Sequence, residues 1–291
     1  MPLVSGDTIL RHARENGYAV CAFNIENMEM VQAVIEAAEE KNSPVIIQTS
    51  ANTVKYASMT MFYAMVRAAV ENSPVPVALH LDHGDSRDLA LKAIQAGYTS
   101  VMIDASKQSF EENIRQTTEV VEICKPVGVS IESELGTVGG KPGDIEYGAD
   151  GYTKVEEATE FVERTGVTSL AVAIGTVHGV YKGEPNLDLE LLKNLRSKVN
   201  VPLVLHGASG LSEQDIKHCV EFGISKINYA TELRIAFSDA VKEYITSHEN
   251  IIDPKLFTKH ARQTVKQVVI EKMHLCGSSD QVKQTTWWKP Q

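Results

Sequence analysis

The stretch "PVALHLDHGD" (residues 76–85) begins as an apolar run and ends in histidines and aspartates. A continuous apolar run of this length is typical of a strand that is buried on both faces of a parallel sheet. The polar end is poorly suited to packing. Because α/β barrels place their active sites at the carboxyl ends of the strands, the stretch predicts a strand with functional side chains at its end.

Seven further runs of the same kind recur along the chain, with helical patterns between them. One pattern, 86–97, starts at the cap-type residue Ser86, and another, 212–223, starts at Ser212. Eight alternations of strand and helix predict a (β/α)8 TIM barrel, an α/β fold, in a single domain over residues 1–291. An extra N-terminal helix (about 5–16) and a C-terminal helical tail (259–273) are also expected. The seven further runs are 18–24, 44–50, 100–106, 129–135, 169–175, 202–207 and 226–231.

Composition limits the function classes. The 291 residues are 43% hydrophobic and carry a formal charge of −10, which argues against binding to nucleic acid or to an anionic membrane surface. No apolar run approaches the roughly 18 residues of a membrane span, and no basic leader is present. The four cysteines form no C-x-x-C pair, which is typical of reduced thiols in a cytoplasmic protein.

Three histidines stand directly before a glycine, each at the end of a different predicted strand. They are His83, His178 and His206, after the third, sixth and seventh strands. Three imidazoles that converge with one open position are typical of a catalytic zinc site. We expect these three residues to bind Zn²⁺.

Acidic residues lie at the same strand ends. Asp82 could act as a general base beside a metal, or it could orient the histidines. In a regular strand its side chain would point away from that of His83. Asp104 and Glu134 could form a second carboxylate site, but we expect them to accept hydrogen bonds from the metal ligands. His80, on the same strand face as Asp82, could orient a carboxylate or simply pack.

The segments after the last three strands favour a small anion. Lys182 supplies a charge, while Gly179, Gly207 and Ser209 supply backbone N–H groups and a hydroxyl. The segment "NYATEL" (228–233) opens a helix with Thr231 as the expected N-cap, which places the N–H groups of Ala230 and Thr231 at a helix start. Phosphate sites after the seventh and eighth strands recur in this fold. The sequence therefore predicts a phosphate-binding region there.

The stretch 136–153 interrupts the alternation of predicted strands and helices. It carries six glycines and no helical period, so it predicts a long loop at the catalytic end of the barrel. Such loops often act as lids, and the alternative is a disordered insertion without a role.

Taken together, these motifs resemble the class II, zinc-dependent ketose-bisphosphate aldolases, over nearly the whole chain. The combination "HGASGL" and "ATEL" is more similar to the tagatose-bisphosphate aldolase branch than to the main fructose-bisphosphate branch. The motifs that carry the resemblance are "LHLDHGD", "SVMIDAS", "ESELGTVGG", "GTVHGVYKGEPNLD", "PLVLHGASGL" and "KINYATEL".

The resemblance implies the reaction and a role for each site residue. A ketose 1-phosphate or 1,6-bisphosphate, of the tagatose or fructose type, would be cleaved reversibly to dihydroxyacetone phosphate and an aldehyde such as glyceraldehyde 3-phosphate. Asp82 would exchange the proton of the C4 hydroxyl, and zinc would act as a Lewis acid toward the carbanion that cleavage leaves. Asn24, Ser50 and Asn228 would contact the sugar, with Ser50 toward its distal end. The phosphate of the dihydroxyacetone half would be held by Gly179, Lys182, Gly207, Ser209, Ala230 and Thr231, beside a monovalent cation (Na⁺ or K⁺).

Two departures from the family pattern concern the substrate. Where the family loop commonly carries acids, this chain has Lys141 and Pro142, so that Asp144 or Glu146 would have to replace them. Lys255 stands where relatives often carry an arginine that reaches the distal phosphate of a neighbouring subunit. Since lysine lacks bidentate geometry, a C6-modified ketose 1-phosphate, such as a sulfonate (sulfofructose 1-phosphate), is an alternative substrate.

Other readings stay open from the sequence. A zinc hydrolase on a barrel would use the metal to activate water. A non-catalytic phosphosugar-binding subunit would need neither Asp82 nor the three histidines. The tail helix and Lys255 indicate a homo-oligomer, either a dimer or a tetramer. The expected ligand is a small phosphosugar, and binding to nucleic acid or to a membrane is not expected.

Overall fold

Eight parallel strands close into a barrel. A computed structural model of the chain describes residues 3–138, 151–179, 185–282 and 288. Each strand pairs with the next in sequence, and the eighth pairs with the first. The strands are buried along nearly their whole length, because helices cover the outside of the barrel and side chains fill its inside. The strands are β1 (Val20–Asn24), β2 (Val45–Ser50), β3 (Val77–Gly84), β4 (Ser100–Ile103), β5 (Ser130–Leu135), β6 (Ser169–Val172), β7 (Leu203–Leu205) and β8 (Ile224–Tyr229).

Eleven α-helices are formed by the described residues, and at least one lies between each strand and the next. The predicted (β/α)8 barrel is confirmed, together with its N-terminal helix and its helical tail. The helices are α1 (Gly6–Asn16), α2 (Met28–Lys41), α3 (Ala51–Ala57), α4 (Met59–Val70), α5 (Arg87–Ala96), α6 (Phe110–Cys124), α7 (Val155–Thr165), α8 (Leu189–Lys198), α9 (Glu213–Glu221), α10 (Thr231–Ser247) and α11 (Pro254–Leu275).

The ends of the helices follow their capping residues. Ser86 and Ser212 accept hydrogen bonds from the third residues of α5 and α9, as the sequence predicts. The expected N-cap role of Thr231 is wrong. Thr231 is already the first helical residue of α10, and Ala230 holds the cap position without a side-chain hydrogen bond. The backbone N–H groups of both residues still lie at the helix start.

Several strands are shorter than predicted at the catalytic end. Strand β6 ends at Val172 and β7 at Leu205, so His178 and His206 lie in the loops that follow. Strand β8 begins two residues before its predicted start at residue 226. Pairing in the barrel sets these limits, because a strand ends where its neighbour no longer offers backbone partners.

The long loop after β5 is described only at its two ends. Residues 136–138 belong to no helix or strand, and the backbone N–H of Thr137 donates to the carbonyl of Gly151 at 2.8 Å. The candidate loop residues Lys141, Pro142, Asp144 and Glu146 lie outside the described residues. Among the helices that are described, none is long and apolar enough to cross a membrane. The single-domain assignment stays a prediction.

Candidate metal centre and active site

The polar ends of the strands meet at the mouth of the barrel, where they line a cavity of about 710 Å³. Asn24, Asp82 and Asn228 are buried and come from β1, β3 and β8. His83 and His178 line the same cavity. Residues up to 204 positions apart thus share one site, as the strand-end argument predicts.

The three histidines that precede glycines converge. The ring centres of His83 and His206 are 4.7 Å apart, those of His83 and His178 are 5.1 Å apart, and those of His178 and His206 are 6.0 Å apart. One nitrogen atom from each ring lies within 4.8 Å of the other two. This spacing allows one ion to contact all three rings.

Carboxylates fix which nitrogen of two rings can face an ion. The Nδ1 atom of His83 lies 2.7 Å from Oδ2 of Asp104, and Nε2 of His206 lies 2.9 Å from Oε1 of Glu132. A carboxylate only accepts hydrogen bonds, so both of these nitrogens carry the proton. The nitrogens left for a metal are therefore Nε2 of His83 and Nδ1 of His206.

The donor set fits zinc. The Nδ1 atom of His206 is buried and makes no hydrogen bond to any of the described residues, although Oε2 of Glu134 lies 3.4 Å away. Three imidazole nitrogens are a typical catalytic zinc set. A second group, His83 with Asp104 and Glu134, also brings three donor atoms within 4.8 Å of one another. Asp104 and Glu134, the two carboxylates predicted near the metal ligands, thus lie beside His83 and His206.

Asp82 and His83 are consecutive, yet both line the cavity. A regular strand would send their side chains to opposite faces. Here the pairing of β3 with β4 shifts between Leu81 and Gly84, and His83 has a φ of 48°. This bulge turns the chain, so that Nε2 of His83 comes within 4.0 Å of Oδ1 of Asp82. The two side chains would diverge only in a regular strand, and the bulge interrupts the regular strand at this point.

The Asp82 carboxylate is held in its ionised form. Asn24 donates to one oxygen at 3.0 Å, and Asn228 donates to the other at 3.2 Å. Burial alone would raise the pKa of Asp82, but the nearby His83, His206 and Lys226 hold this pKa well below its usual range. An ionised and fixed carboxylate can accept a proton from a substrate hydroxyl.

Most residues of the predicted phosphate region line the cavity. Gly179, Gly207, Ser209, Ala230 and Thr231 all line it. The Ser209 hydroxyl lies 3.3 Å from Oε2 of Glu232. The position of Lys182 falls outside the described residues.

The lining of the cavity also contains residues that the sequence analysis did not predict. Ser50, predicted for the distal end of a substrate, lines the cavity with the exposed Tyr56. Arg234 also lines it and donates from Nε to Glu26 at 2.8 Å, while Thr53 donates to the other oxygen of Glu26. Arg234 lies one helical turn after Ala230, a predicted site residue. This spacing could have identified Arg234 as a site residue from the sequence.

The barrel interior beneath the site holds a second missed group, Glu132 and Lys226. Lys226 donates to Oε2 of Glu132 at 2.8 Å, and both residues are buried. Burial alone would raise the pKa of Glu132, but Lys226 and the hydrogen bond from His206 hold it well below its usual range. The sequence places Glu132 and Lys226 inside two predicted buried strands. Because buried charges are usually paired, this placement could have predicted their contact.

His80 belongs to the same interior layer. Its Nδ1 atom lies 2.7 Å from the Ser100 hydroxyl, and its Nε2 atom lies 3.9 Å from Glu132. Burial and the neighbouring Lys226 lower the pKa of His80 to about 3. The neutral ring makes no carboxylate hydrogen bond among the described residues, so its role is closer to packing than to orienting a carboxylate.

Comparison with known proteins agrees with this geometry. The family model "Fructose-bisphosphate aldolase class-II" matches residues 4–281. A "Probable fructose-bisphosphate aldolase" from Bacillus subtilis is 46% identical over 97% of this chain and 100% of that protein. A fructose-bisphosphate aldolase from Staphylococcus aureus is 44% identical, over the same shares of the two chains.

Solved structures give the same result. The crystal structure of the YdjI aldolase from Escherichia coli K12 superposes with a TM-score of 0.87 at 42% identity, over 96% of this chain and 99% of that one. A putative fructose-1,6-bisphosphate aldolase from Coccidioides immitis superposes with a TM-score of 0.85 at 30% identity, over 95% and 97% of the two chains. The family match spans the barrel and includes the histidine centre, and the chain therefore belongs to the class II fructose-bisphosphate aldolase family and is an aldolase.

Proposed function

We propose that this aldolase catalyses the zinc-dependent, reversible cleavage of a ketose 1,6-bisphosphate to dihydroxyacetone phosphate and glyceraldehyde 3-phosphate. The observation that carries the proposal is the buried carboxylate of Asp82, which Asn24 and Asn228 hold 4.0 Å from Nε2 of His83 at the edge of three convergent imidazoles. The names of its relatives favour fructose 1,6-bisphosphate as the first substrate to test. The tagatose isomer, suggested by sequence motifs, is the second.

His83, His178 and His206 are the proposed zinc ligands. When bound, zinc supplies Lewis-acid polarisation of the ketose carbonyl. Asp104 and Glu132 keep two of the rings in the tautomer that points a lone pair toward the centre.

Asp82 is the proposed acid and base. In cleavage it takes the proton of the C4 hydroxyl. The C4–O bond then becomes a carbonyl as the C3–C4 bond breaks, and the electron pair of that bond remains on C3 of the dihydroxyacetone half, where a proton from solvent completes dihydroxyacetone phosphate. Asn24 and Asn228 each donate to one oxygen of Asp82, which orients the carboxylate and keeps it ionised. In the condensation direction, the same carboxyl group returns the proton.

The lining of the cavity suits the two ends of the substrate. Backbone N–H groups at the start of α10, with Gly179, Gly207 and Ser209, would hold the phosphate of the dihydroxyacetone half beside a monovalent cation. Ser50 and Arg234 line the same cavity and are proposed for the distal end. The C6-modified alternative rests on Lys255, and a substrate panel decides between the two.

The experiment is cleavage of ketose phosphates by the purified protein, with detection of dihydroxyacetone phosphate. The panel contains fructose and tagatose 1,6-bisphosphates and ketose 1-phosphates that differ only at C6. We expect a chelator to abolish cleavage and added zinc to restore it. A strong kcat/KM preference for a bisphosphate excludes the C6-modified alternative. Cleavage that survives full removal of the metal contradicts the proposed mechanism.

A variant separates the role of Asp82 from metal binding. Asp82→Asn keeps the size of the side chain but removes the base, so we expect kcat to fall by about 10²- to 10⁴-fold while zinc content stays at one ion per chain. The matched control is Asp239→Asn, which makes the same change on an exposed residue of α10 and should leave kcat unchanged. Unchanged kcat in Asp82→Asn would assign the base to another residue.

The zinc-hydrolase and non-catalytic alternatives lose support, because the chain belongs to an aldolase family. The homo-oligomeric state, the monovalent cation and the cytoplasmic location stay predictions.

A further inference from the structure

A buried ion pair crosses the interior of the barrel below the proposed metal centre. Glu132 lies on β5 and Lys226 on β8, two strands that are not neighbours. Their side chains meet at 2.8 Å, each with about 1% of its surface exposed. Removing two charges from water is costly, and apolar side chains of similar volume often stabilise an interior equally well or better. Stability alone is therefore a weak reason for this pair.

The second carboxylate oxygen of Glu132 connects the ion pair to a proposed zinc ligand, His206. The Nε2 atom of His206 donates to Oε1 of Glu132 at 2.9 Å, while Lys226 donates to Oε2. Each carboxylate oxygen therefore has its own donor. Since Nε2 of His206 holds the proton, Nδ1 presents its lone pair on the opposite side of the ring, which faces His83 and His178.

The carboxylate is fixed from two directions. Lys226 comes from β8 and His206 from the end of β7, and all three residues are buried. A fully buried carboxylate without a compensating cation would be costly, so Lys226 allows a charged acceptor at this depth. A charged acceptor raises the basicity of the ring more than a neutral one does.

We propose that Glu132 and Lys226 are positioning residues for the metal centre: Glu132 fixes the orientation and tautomer of His206, and Lys226 holds Glu132 in place and balances its charge. The inference rests on the proposed zinc site. It differs from a structural role because it requires the loss of Glu132 to weaken zinc binding even where the barrel stays folded.

The main test measures zinc binding instead of turnover. In Glu132→Gln, we expect the Kd for zinc, measured by competition with a chromophoric chelator, to rise by about 10- to 100-fold. The visible absorption of the Co²⁺-substituted protein should also change, because it reports the geometry around the ion. The matched control is Tyr98→Phe, which removes a buried hydrogen bond of 2.8 Å to Thr49 that does not involve a metal ligand. This control should lower the melting temperature and leave the Kd for zinc unchanged.

A second variant covers the case in which Glu132→Gln fails to fold because Lys226 loses its counter-charge. The double variant Glu132→Gln with Lys226→Met removes both charges from the interior. We expect it to recover the melting temperature while the Kd for zinc stays raised by about 10- to 100-fold. Zinc binding as tight as in the parent, with an unchanged Co²⁺ spectrum, would show that the pair is structural only.

The outcomes separate this inference from the proposed function. Zinc-dependent cleavage by the parent protein, combined with an unchanged Kd in both variants, overturns the positioning role and leaves the function standing. A parent protein that binds no zinc at these histidines overturns both. A raised Kd in the folded double variant supports both.

Discussion

At the scale of single residues, the site depends on how buried polar groups are paired. The pKa of Asp82 lies well below its usual range because the neighbouring His83, His206 and Lys226, with the hydrogen bond from Asn24, outweigh its burial. His80, one layer below, has the opposite balance: burial and Lys226 act together and keep the ring neutral. The same barrel interior thus stabilises a charged carboxylate and a neutral imidazole a few ångströms apart.

The neutral state of His80 predicts acid sensitivity. Its pKa falls from the ordinary value of 6.5 to about 3 in the folded chain, so between these pH values the unfolded chain holds a proton that the folded chain does not. The free energy of unfolding should therefore decrease as the pH falls from 6.5, by about 1.4 kcal/mol per pH unit from this residue.

The measurement is chemical denaturation between pH 4 and pH 7. His80→Gln removes the titrating group and should flatten that part of the profile. His248→Gln, on an exposed histidine, should leave the profile as in the parent. Equal slopes for the parent and His80→Gln would contradict the assignment.

At the scale of secondary-structure elements, short strands followed by tight loops bring the ligands together. Gly207 has a φ of 67°, and a Cβ atom at this position would lie 2.5 Å from the carbonyl oxygen of Val177. Val177 precedes His178, and Gly207 follows His206. The close approach of the loops after β6 and β7 therefore requires a glycine, and it sets the separation of two proposed ligands.

Gly207→Ala should disturb both stability and metal binding. The left-handed backbone costs alanine roughly 1–2 kcal/mol, and relieving the contact with Val177 costs about 1–3 kcal/mol more. We expect a lower free energy of unfolding by the sum of the two and a higher Kd for zinc. Gly166→Ala is the matched control, since Gly166 has a φ of 72° but a Cβ atom there would meet no described atom within 4 Å. It should show only the backbone cost and normal zinc binding; a similar zinc Kd in both variants would refute the role of the loop contact.

At the scale of the whole molecule, the chain carries more than the barrel. Helices α10 and α11 pack against each other, and α11 also packs along α2. Ile252 in the turn between α10 and α11 is 91% exposed, and the side chain of Lys255, in the first turn of α11, is 84% exposed. A single exposed apolar side chain is normal on a protein surface, so the homo-oligomer that the sequence predicts around Lys255 stays a prediction.

The oligomer can be tested at that turn. We expect the purified protein to sediment as a dimer or a tetramer. Ile252→Asp places a charge at the predicted contact, and the loss of one buried isoleucine, about 1.5–3 kcal/mol, should weaken self-association by roughly 10- to 100-fold. Val127→Asp, at another exposed apolar residue (59%) that follows α6, should not change the association. A monomeric parent protein would rule out the predicted assembly.

The sequence by itself determined the eight strands, the barrel and the three converging histidines, because apolar runs, caps and polar strand ends are local signals. It did not determine the bulge at His83, which appears only where β3 pairs with β4 and which places Asp82 beside its neighbour. It also did not reveal that Glu132 meets Lys226, 94 residues away, or that Arg234 meets Glu26, 208 residues away. Such contacts depend on closure of the barrel. Only closure brings distant parts of the chain close together. A charge that loses contact with water there is stable only beside an opposite charge.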